Sequence, residues 1–193
     1  MRKLIVSINI SLDGCIAGLD NELDWHFSSW TPDMSMLLCE QLMNADTIVL
    51  GRITYLKMAE YWPEVMNDIG FPRVDIPLAE LMNRHKKIVF SKTLSDPAWN
   101  NSFLINAVAE NELVRMKRKK GKDMIVLGSG QLVQSLISVG VIDELILWIH
   151  PVVLTKGRLF FTTMSGNFHL HLKRTEHTDS GVIVLFYEVS QKH

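Results

Sequence analysis

The sequence predicts an α/β fold: one mostly parallel mixed sheet with flanking helices, closing in an antiparallel C-terminal hairpin. Three observations carry this. Short runs rich in Val, Ile, Leu and Phe punctuate the 193 residues, and most are too apolar for half-exposed alternating strands. Helix-like stretches separate the early runs, as parallel crossovers require. The last three runs follow one another directly, which suits antiparallel pairing.

Each element can be justified in order. Run 3–10 has a charged start and then turns apolar, as a signal peptide would. It carries Ser7 and Asn9, meets Asp13 and lacks a small-residue cleavage site, so it reads as a buried first strand. Stretch 33–44 places Met36, Leu37, Glu40 and Met43 at helical spacing, behind Thr31 and Pro32 as start signals. Strand-like 46–50 leads into helix-like 52–60, and the Pro-bearing segment 61–79 reads as a long surface excursion. Strands at 86–90, 102–106 and 124–127 follow, with a helix at 109–120 between the last two. In the helix at 130–139, Leu132, Val133, Leu136 and Ile137 share a face and Gly140 is the stop. Runs 144–154, 168–176 and 182–189 close the sheet, the last two joined through Asp179-Ser180-Gly181. No repeat or linker divides the chain, which reads as a single domain, 1–193.

Composition removes several classes of function. Apolar residues at 47% and charged residues at 21% belong to a globular chain and argue against disorder. Lys plus Arg number 20 against 21 Asp plus Glu, so nothing suggests the concentrated basic surface that a nucleic-acid binder needs. The basic run Arg115, Lys117, Arg118, Lys119, Lys120 and Lys122 reads as a solvated helix end favoured by the dipole. No stretch approaches the roughly 18 apolar residues of a membrane span. Cys15 and Cys39 are too few for a disulfide framework and lack metal-ligand spacing, which fits reduced thiols and a cytoplasmic location.

The chain has no P-loop, no G-x-S-x-G elbow, no H-E-x-x-H and no zinc-deaminase signature. His169 and His171 would share a strand face, but two imidazoles without a third ligand read as surface residues. Two strand-to-helix junctions are more informative. Gly51-Arg52-Ile53-Thr54-Tyr55 follows a buried strand and heads a helix, which combines close backbone approach, free N–H groups, a guanidinium fork and a hydroxyl. Gly128-Ser129-Gly130-Gln131 repeats the arrangement, though Val133 stands where the dinucleotide fingerprint has its third glycine. Either alone can be a plain turn. Together in one small α/β domain they suit the pyrophosphate and adenosine ends of a dinucleotide, and Ser91-Lys92-Thr93 could receive a 2′-phosphate. Trp25, Trp30, Trp62, Trp99 and Trp148 are either an aromatic pocket wall or ordinary core and rim packing.

At this level of detail the chain resembles a known family. It carries S-L-D-G-C-I-A (11–17), G-R-I-T-Y (51–55), Y-W-P (61–63) and V-F-S-K-T-L (89–94). Further on it has V-L-G-S-G-Q-L-V-Q-S-L (126–136), V-I-D-E-L (141–145), P-V-V-L (151–154) and R-L-F (158–160). Together these resemble the dihydrofolate-reductase-like family that shares its fold with the reductase domain of bacterial riboflavin biosynthesis. The resemblance implies that fold and NADPH as hydride donor. It places Gly51, Arg52, Ile53 and Thr54 at the phosphates, with Arg52 also near the 2′-phosphate, and Ser91 and Lys92 at the adenosine end. Gly128, Ser129, Gly130 and Gln131 would contact the pyrophosphate and nicotinamide ribose, with a cis Gly128–Ser129 peptide. Ile16 and Ala17 would touch the nicotinamide through backbone groups.

For the proton, the resemblance points to the first helix, which offers Asp33 and Glu40. Asp33 can equally satisfy the helix dipole, and Asp13 is a further candidate that can equally belong to an Asp-Gly turn. No metal is implied. Leu127 stands where the riboflavin reductases carry a substrate-binding glutamate, and no deaminase region precedes this one, so the substrate is expected to differ. Thr155-Lys156-Gly157 replaces the family's usual G-x-G loop. The expectation is an NADPH-dependent reductase of a C=N or C=C bond in a pterin-like or other small heterocycle, with a homodimer suggested. The alternative is a non-catalytic NADP(H)-binding module of the same fold.

Overall fold

The computed structural model of the chain describes residues 1–106, 110–161 and 169–190. In chain order its elements are β1 (Leu4–Ser11), β2 (Cys15–Ala17), α1 (Pro32–Met43), β3 (Ala45–Gly51), α2 (Arg52–Val65), α3 (Ile76–Arg84) and β4 (Lys86–Phe90). They continue with β5 (Ser102–Ile105), α4 (Glu110–Arg118), β6 (Asp123–Val126), α5 (Gly130–Ser138), β7 (Glu144–His150), β8 (Arg158–Leu159), β9 (Leu170–His177) and β10 (Ile183–Val189).

Eight strands form one sheet in the order β5-β4-β3-β6-β1-β7-β10-β9. Pairings from β5 across to β7 are parallel, and β10 is antiparallel to both β7 and β9. The expected mostly parallel sheet with its closing hairpin is therefore present. The chain leaves β1 through α1 toward β3, and leaves β6 through α5 across β1 to β7. The connections thus part at the β6–β1 pair, and the carboxyl ends of these strands open a crevice there.

Both sheet faces are covered by helices. On one side Leu4, Val6, Ile8 and Ile10 of β1 join Leu113 and Met116 of α4 and Leu132, Val133 and Leu136 of α5. On the other, Ile48, Leu50, Val89 and Ile125 pack with Leu42 of α1, Tyr55 of α2 and Leu78, Leu81 and Met82 of α3. Two-sided burial is why the strand runs read as continuously apolar.

Several expectations need correction. The excursion 61–79 is shorter than read: α2 continues through Pro63 to Val65, and α3 begins at Ile76. Its prolines obscured the i, i+3, i+4 pattern of Leu78, Leu81 and Met82. Run 144–154 is strand only to His150, because Pro151 has no N–H for the ladder. Run 168–176 is an edge strand rather than a covered one, with β9 largely exposed. Residue 168, where it was expected to start, lies outside the described residues, as does 109 at the head of the fourth helix. The short β2–β8 ladder was not foreseen. Lys117 also departs from the solvated helix end: it is buried, and its ammonium donates to Asp143 at 2.7 Å and to the Val141 carbonyl. Among the described residues no helix is long and apolar enough to cross a membrane.

Candidate active site

Two helices begin where adjacent strands end. Gly51 is the last residue of β3 and the N-cap of α2; Ser129 follows β6 and is the N-cap of α5. Gly51 has no side chain to cap its helix and Ser129 Oγ accepts no hydrogen bond from its own, which leaves first-turn N–H groups available to an anion. The junctions also pack on each other. Gly51 N donates to Gly128 O at 2.9 Å, and a methyl placed on Gly51 would lie 2.6 Å from Ser129 Oγ and 3.2 Å from Ser129 N. Gly128 has φ +117°, a region that favours glycine, and a methyl there would approach Thr54 Oγ1 at 3.1 Å. The Gly128–Ser129 peptide is cis.

These junctions border a cleft of about 530 Å³, within the usual range for a small-molecule site. Of the residues singled out from sequence, Ile16, Ala17, Ile53, Thr54, Gly128, Ser129, Gly130 and Gln131 line it. Ile16 lies over the start of α5, where a methyl on Gly130 would sit 1.8 Å from its Cδ1. Ala17 is held by the β2–β8 ladder. Gly157 is pressed against it, so that a methyl there would fall 2.7 Å from the Ala17 carbonyl oxygen. Thr155 adopts φ +56° in the same loop, which therefore replaces a G-x-G turn with one left-handed threonine and one close-packed glycine.

Arg52 and Lys92 lie outside the lining. Both are exposed and neither has a hydrogen bond or ion pair among the described residues. They follow paired strand ends, since Gly51 of β3 is in register with Phe90 of β4. Between them Ser91 is buried, and its Oγ accepts from the amides of Thr93 and Leu94 at 3.2 and 2.9 Å.

The two carboxylates have other partners. Asp13 accepts from Ser11 Oγ at 2.5 Å and from the amides of Leu154 and Thr155 at 3.2 and 2.9 Å. The Ser11 hydrogen bond, helped by these amides, holds its carboxyl below the ordinary range. Asp33, in the first turn of α1, accepts from Asp179 N at 2.9 Å and so fastens the helix to the β9–β10 turn. Burial opposes its ionisation, but donors around the helix start outweigh it and the carboxyl again lies below its usual value. Neither lines the cleft, and Glu40 at the far end of α1 is also absent from its lining.

Sequence reasoning missed the cleft's polar floor. Ser7 and Asn9 project from β1 on the α1 side, in register with Ile146 and Trp148 of β7. Ser7 Oγ accepts from Trp148 Nε1 at 2.9 Å, and Asn9 Oδ1 accepts from His150 Nε2 at 3.0 Å. His150 is fully buried and touches Trp25 and His26 from the 3-10 turn at Asp24–Ser29, with ring centroids 5.3 and 5.9 Å away. Burial, with a smaller contribution from His26, pushes His150 down to about 4, and burial lowers His26 as well. The polar alternation Ser7, Asn9, Ser11 within an otherwise apolar strand was the available signal. Of the tryptophans, Trp25, Trp30, Trp62 and Trp148 line the cleft, whereas Trp99 is buried against Tyr55 and Lys87.

Comparison with known proteins places this architecture. The model of the RibD C-terminal domain matches residues 2–184. "Uncharacterized protein YyaP" of Bacillus subtilis (strain 168) is 32% identical over 186 residues, covering 96% of this chain and 94% of its own. The crystal structure of a "Putative riboflavin biosynthesis protein" from Shewanella sp. PV-4 superposes with a TM-score of 0.73 at 22% identity, over 98% of this chain and 99% of that one. A Thermotoga maritima diaminohydroxyphosphoribosylaminopyrimidine deaminase/5-amino-6-(5-phosphoribosylamino)uracil reductase matches with a TM-score of 0.67 at 15% identity, over 98% of this chain and 57% of that one. The fold is that of the dihydrofolate-reductase-like RibD C-terminal domains.

Proposed function

The chain belongs to the RibD C-terminal domain family, and from that premise we propose that it is an NADPH-dependent reductase of a small unsaturated heterocycle. The observation that carries this is the pair of uncapped helix N-termini, α2 and α5, set at neighbouring strand ends with their glycines in contact. That arrangement presents two sets of free N–H donors beside one cleft, as the pyrophosphate of a dinucleotide requires. A methyl at Gly51 would meet Ser129 and close this junction, so the residues present fit the group.

In this reading Gly51, Ile53 and Thr54 at the β3–α2 junction and Gly128, Ser129, Gly130 and Gln131 at the β6–α5 junction hold the phosphates and nicotinamide ribose. Arg52 and Lys92, two exposed cations without partners among the described residues, take the 2′-phosphate, with the Ser91 turn shaping the adenosine end. Ile16 and Ala17 form the wall against the nicotinamide. When bound, NADPH supplies the hydride; the chain's own contribution is orientation and exclusion of water. Trp30, Trp62 and Met58 flank a flat acceptor. Asp13 and Asp33 are engaged elsewhere, and no Asp or Glu is among the described cleft-lining residues. The proton therefore comes from His26 or from solvent rather than from a carboxylate.

The test is to incubate the protein with NADPH and a panel of pterin, pyrimidine and other unsaturated heterocycles, following loss of the reduced nicotinamide absorbance. Oxidation that depends on one acceptor class supports the reductase. Saturable NADPH binding with no oxidation across the panel favours the non-catalytic module of the same fold. The fastened Asp13 and Asp33 are what keeps that second reading in view.

A further inference from the structure

One cluster at the cleft has polar atoms that no described residue satisfies, and it deepens the reductase reading on which it rests. Trp25 Nε1, His26 Nδ1 and His150 Nδ1 are all buried without a hydrogen-bond partner among the described residues. The three rings touch one another, with centroids 5.3–5.9 Å apart in edge-to-face arrangement. Buried polar atoms are rarely left unpaired, so Trp25 Nε1 and His26 Nδ1, on rings that line the cleft, point to a partner that arrives from outside, with His150 packed behind them. Trp25 and His26 line the cleft, and Asn9 lines it beside them.

The chemistry of that partner follows from what the cluster offers. An indole N–H only donates. Asn9 Oδ1 is occupied by His150 Nε2, so the amide presents its Nδ2 donors to the cleft. His26 supplies a ring nitrogen that donates or accepts according to its tautomer. A ligand that answers this set carries acceptors toward Asn9 and Trp25 and a complementary group toward His26.

Charge is equally constrained. Among the described cleft-lining residues there is no Asp, Glu or Lys, and the guanidinium of Arg158 is already donating to Asn21. The groups facing the imidazoles are Asp24 and Lys57 around His26, of opposite sign, and His26 itself beside His150. A cationic ring would therefore be desolvated with no counter-charge.

We propose that Asn9, Trp25 and His26 form the acceptor-recognition subsite, that His150 positions Asn9 within it, and that this subsite selects an uncharged planar ring with a hydrogen-bonding edge and rejects a cationic one. Asn9 sets the charge preference because a carboxylate at its position would supply the missing counter-charge with little change in shape.

The experiment is calorimetric titration of the full chain with two flat probes, uncharged pteridine-2,4-dione and 2,4-diaminopyrimidine held mildly acidic so that it is cationic. NADPH affinity is measured in parallel on each variant. The expected result is binding of the dione alone, weakened about tenfold in Trp25→Phe and in His26→Phe with NADPH affinity unchanged. Asn9→Asp should lose the dione and gain the cation, an inversion that a merely structural role would not produce. His150→Phe should weaken the dione; because that site is buried, Asn9→Asp and the two half-buried aromatic positions keep the test open if it does not fold. Equal or tighter binding of the cation by the natural chain overturns the proposal. So does NADPH binding with no response to either probe, which leaves the cofactor reading standing. Dione binding with the predicted variant pattern but no NADPH binding supports the subsite and removes the reductase.

Discussion

At the residue scale, function rests on side chains without internal work. Arg52 and Lys92 are exposed cations with no protein partner among the described residues, whereas Asp13 and Asp33 are tied down by amide donors. Replacing Arg52 with Ala should weaken NADPH by about tenfold or more, as expected for ~1.5–3 kcal/mol in a charge-assisted hydrogen bond, while NADH changes far less. Equal losses for both nucleotides in a competition titration would remove Arg52 from the 2′-phosphate. Arg52 was legible from sequence because it sits inside a contiguous strand–glycine–helix motif. His26 and His150 were not, since each is an isolated histidine far from the other in the chain. Only the parallel register of β1 with β7 brings Asn9 under His150, and a residue pattern carries no register.

At the element scale, the site is two strand-to-helix junctions and one small ladder. The junction glycines are needed for contact between backbones, not only for turning the chain. Gly51→Ala should push the α2 start away from Ser129, costing about 1–3 kcal/mol in urea unfolding and weakening NADPH. Wild-type stability with wild-type affinity would show that the junctions do not bear on each other. Gly157→Ala places a methyl 2.7 Å from a backbone oxygen of β2, so it should lower affinity for the nucleotide through the displaced Ile16–Ala17 wall. An unchanged NADPH titration for that variant would detach the ladder from the site. The long elements were readable because two-sided burial gives unbroken apolar runs. The β2–β8 ladder was not, because Cys15–Ala17 and Arg158–Leu159 are too short to show any period. α3 was hidden by flanking prolines, although its buried positions carry helical spacing.

At the scale of the whole molecule, the connections part at β6–β1 and leave a crevice at the carboxyl ends of the parallel strands. The run order made the mostly parallel sheet legible but not this crossing, and the buried His150 of β7 makes the molecule acid-sensitive. An unfolded histidine takes a proton as pH falls below about 6.5, whereas His150 in the fold stays neutral until about 4. The unfolded state then binds more protons, so stability present above about pH 6.5 is lost as the pH falls through that window, by on the order of 3 kcal/mol. Depressed His26, Asp33 and Asp13 act in the same direction, each losing its contribution as pH falls. Urea unfolding between pH 4 and 6.5 should therefore give a steep slope that His150→Phe flattens; parallel slopes for the two proteins would place the acid sensitivity elsewhere.

The most direct test of the whole account is titration of the purified chain with NADPH and, separately, NADH, following quenching of its tryptophan fluorescence. Trp25, Trp30, Trp62 and Trp148 all line the cleft, so a nucleotide seated across the two helix N-termini should be reported by them. The account predicts saturable quenching with a clear preference for NADPH. Absence of saturable quenching by either nucleotide would mean that the glycine junctions are turns that hold no dinucleotide, and would contradict it.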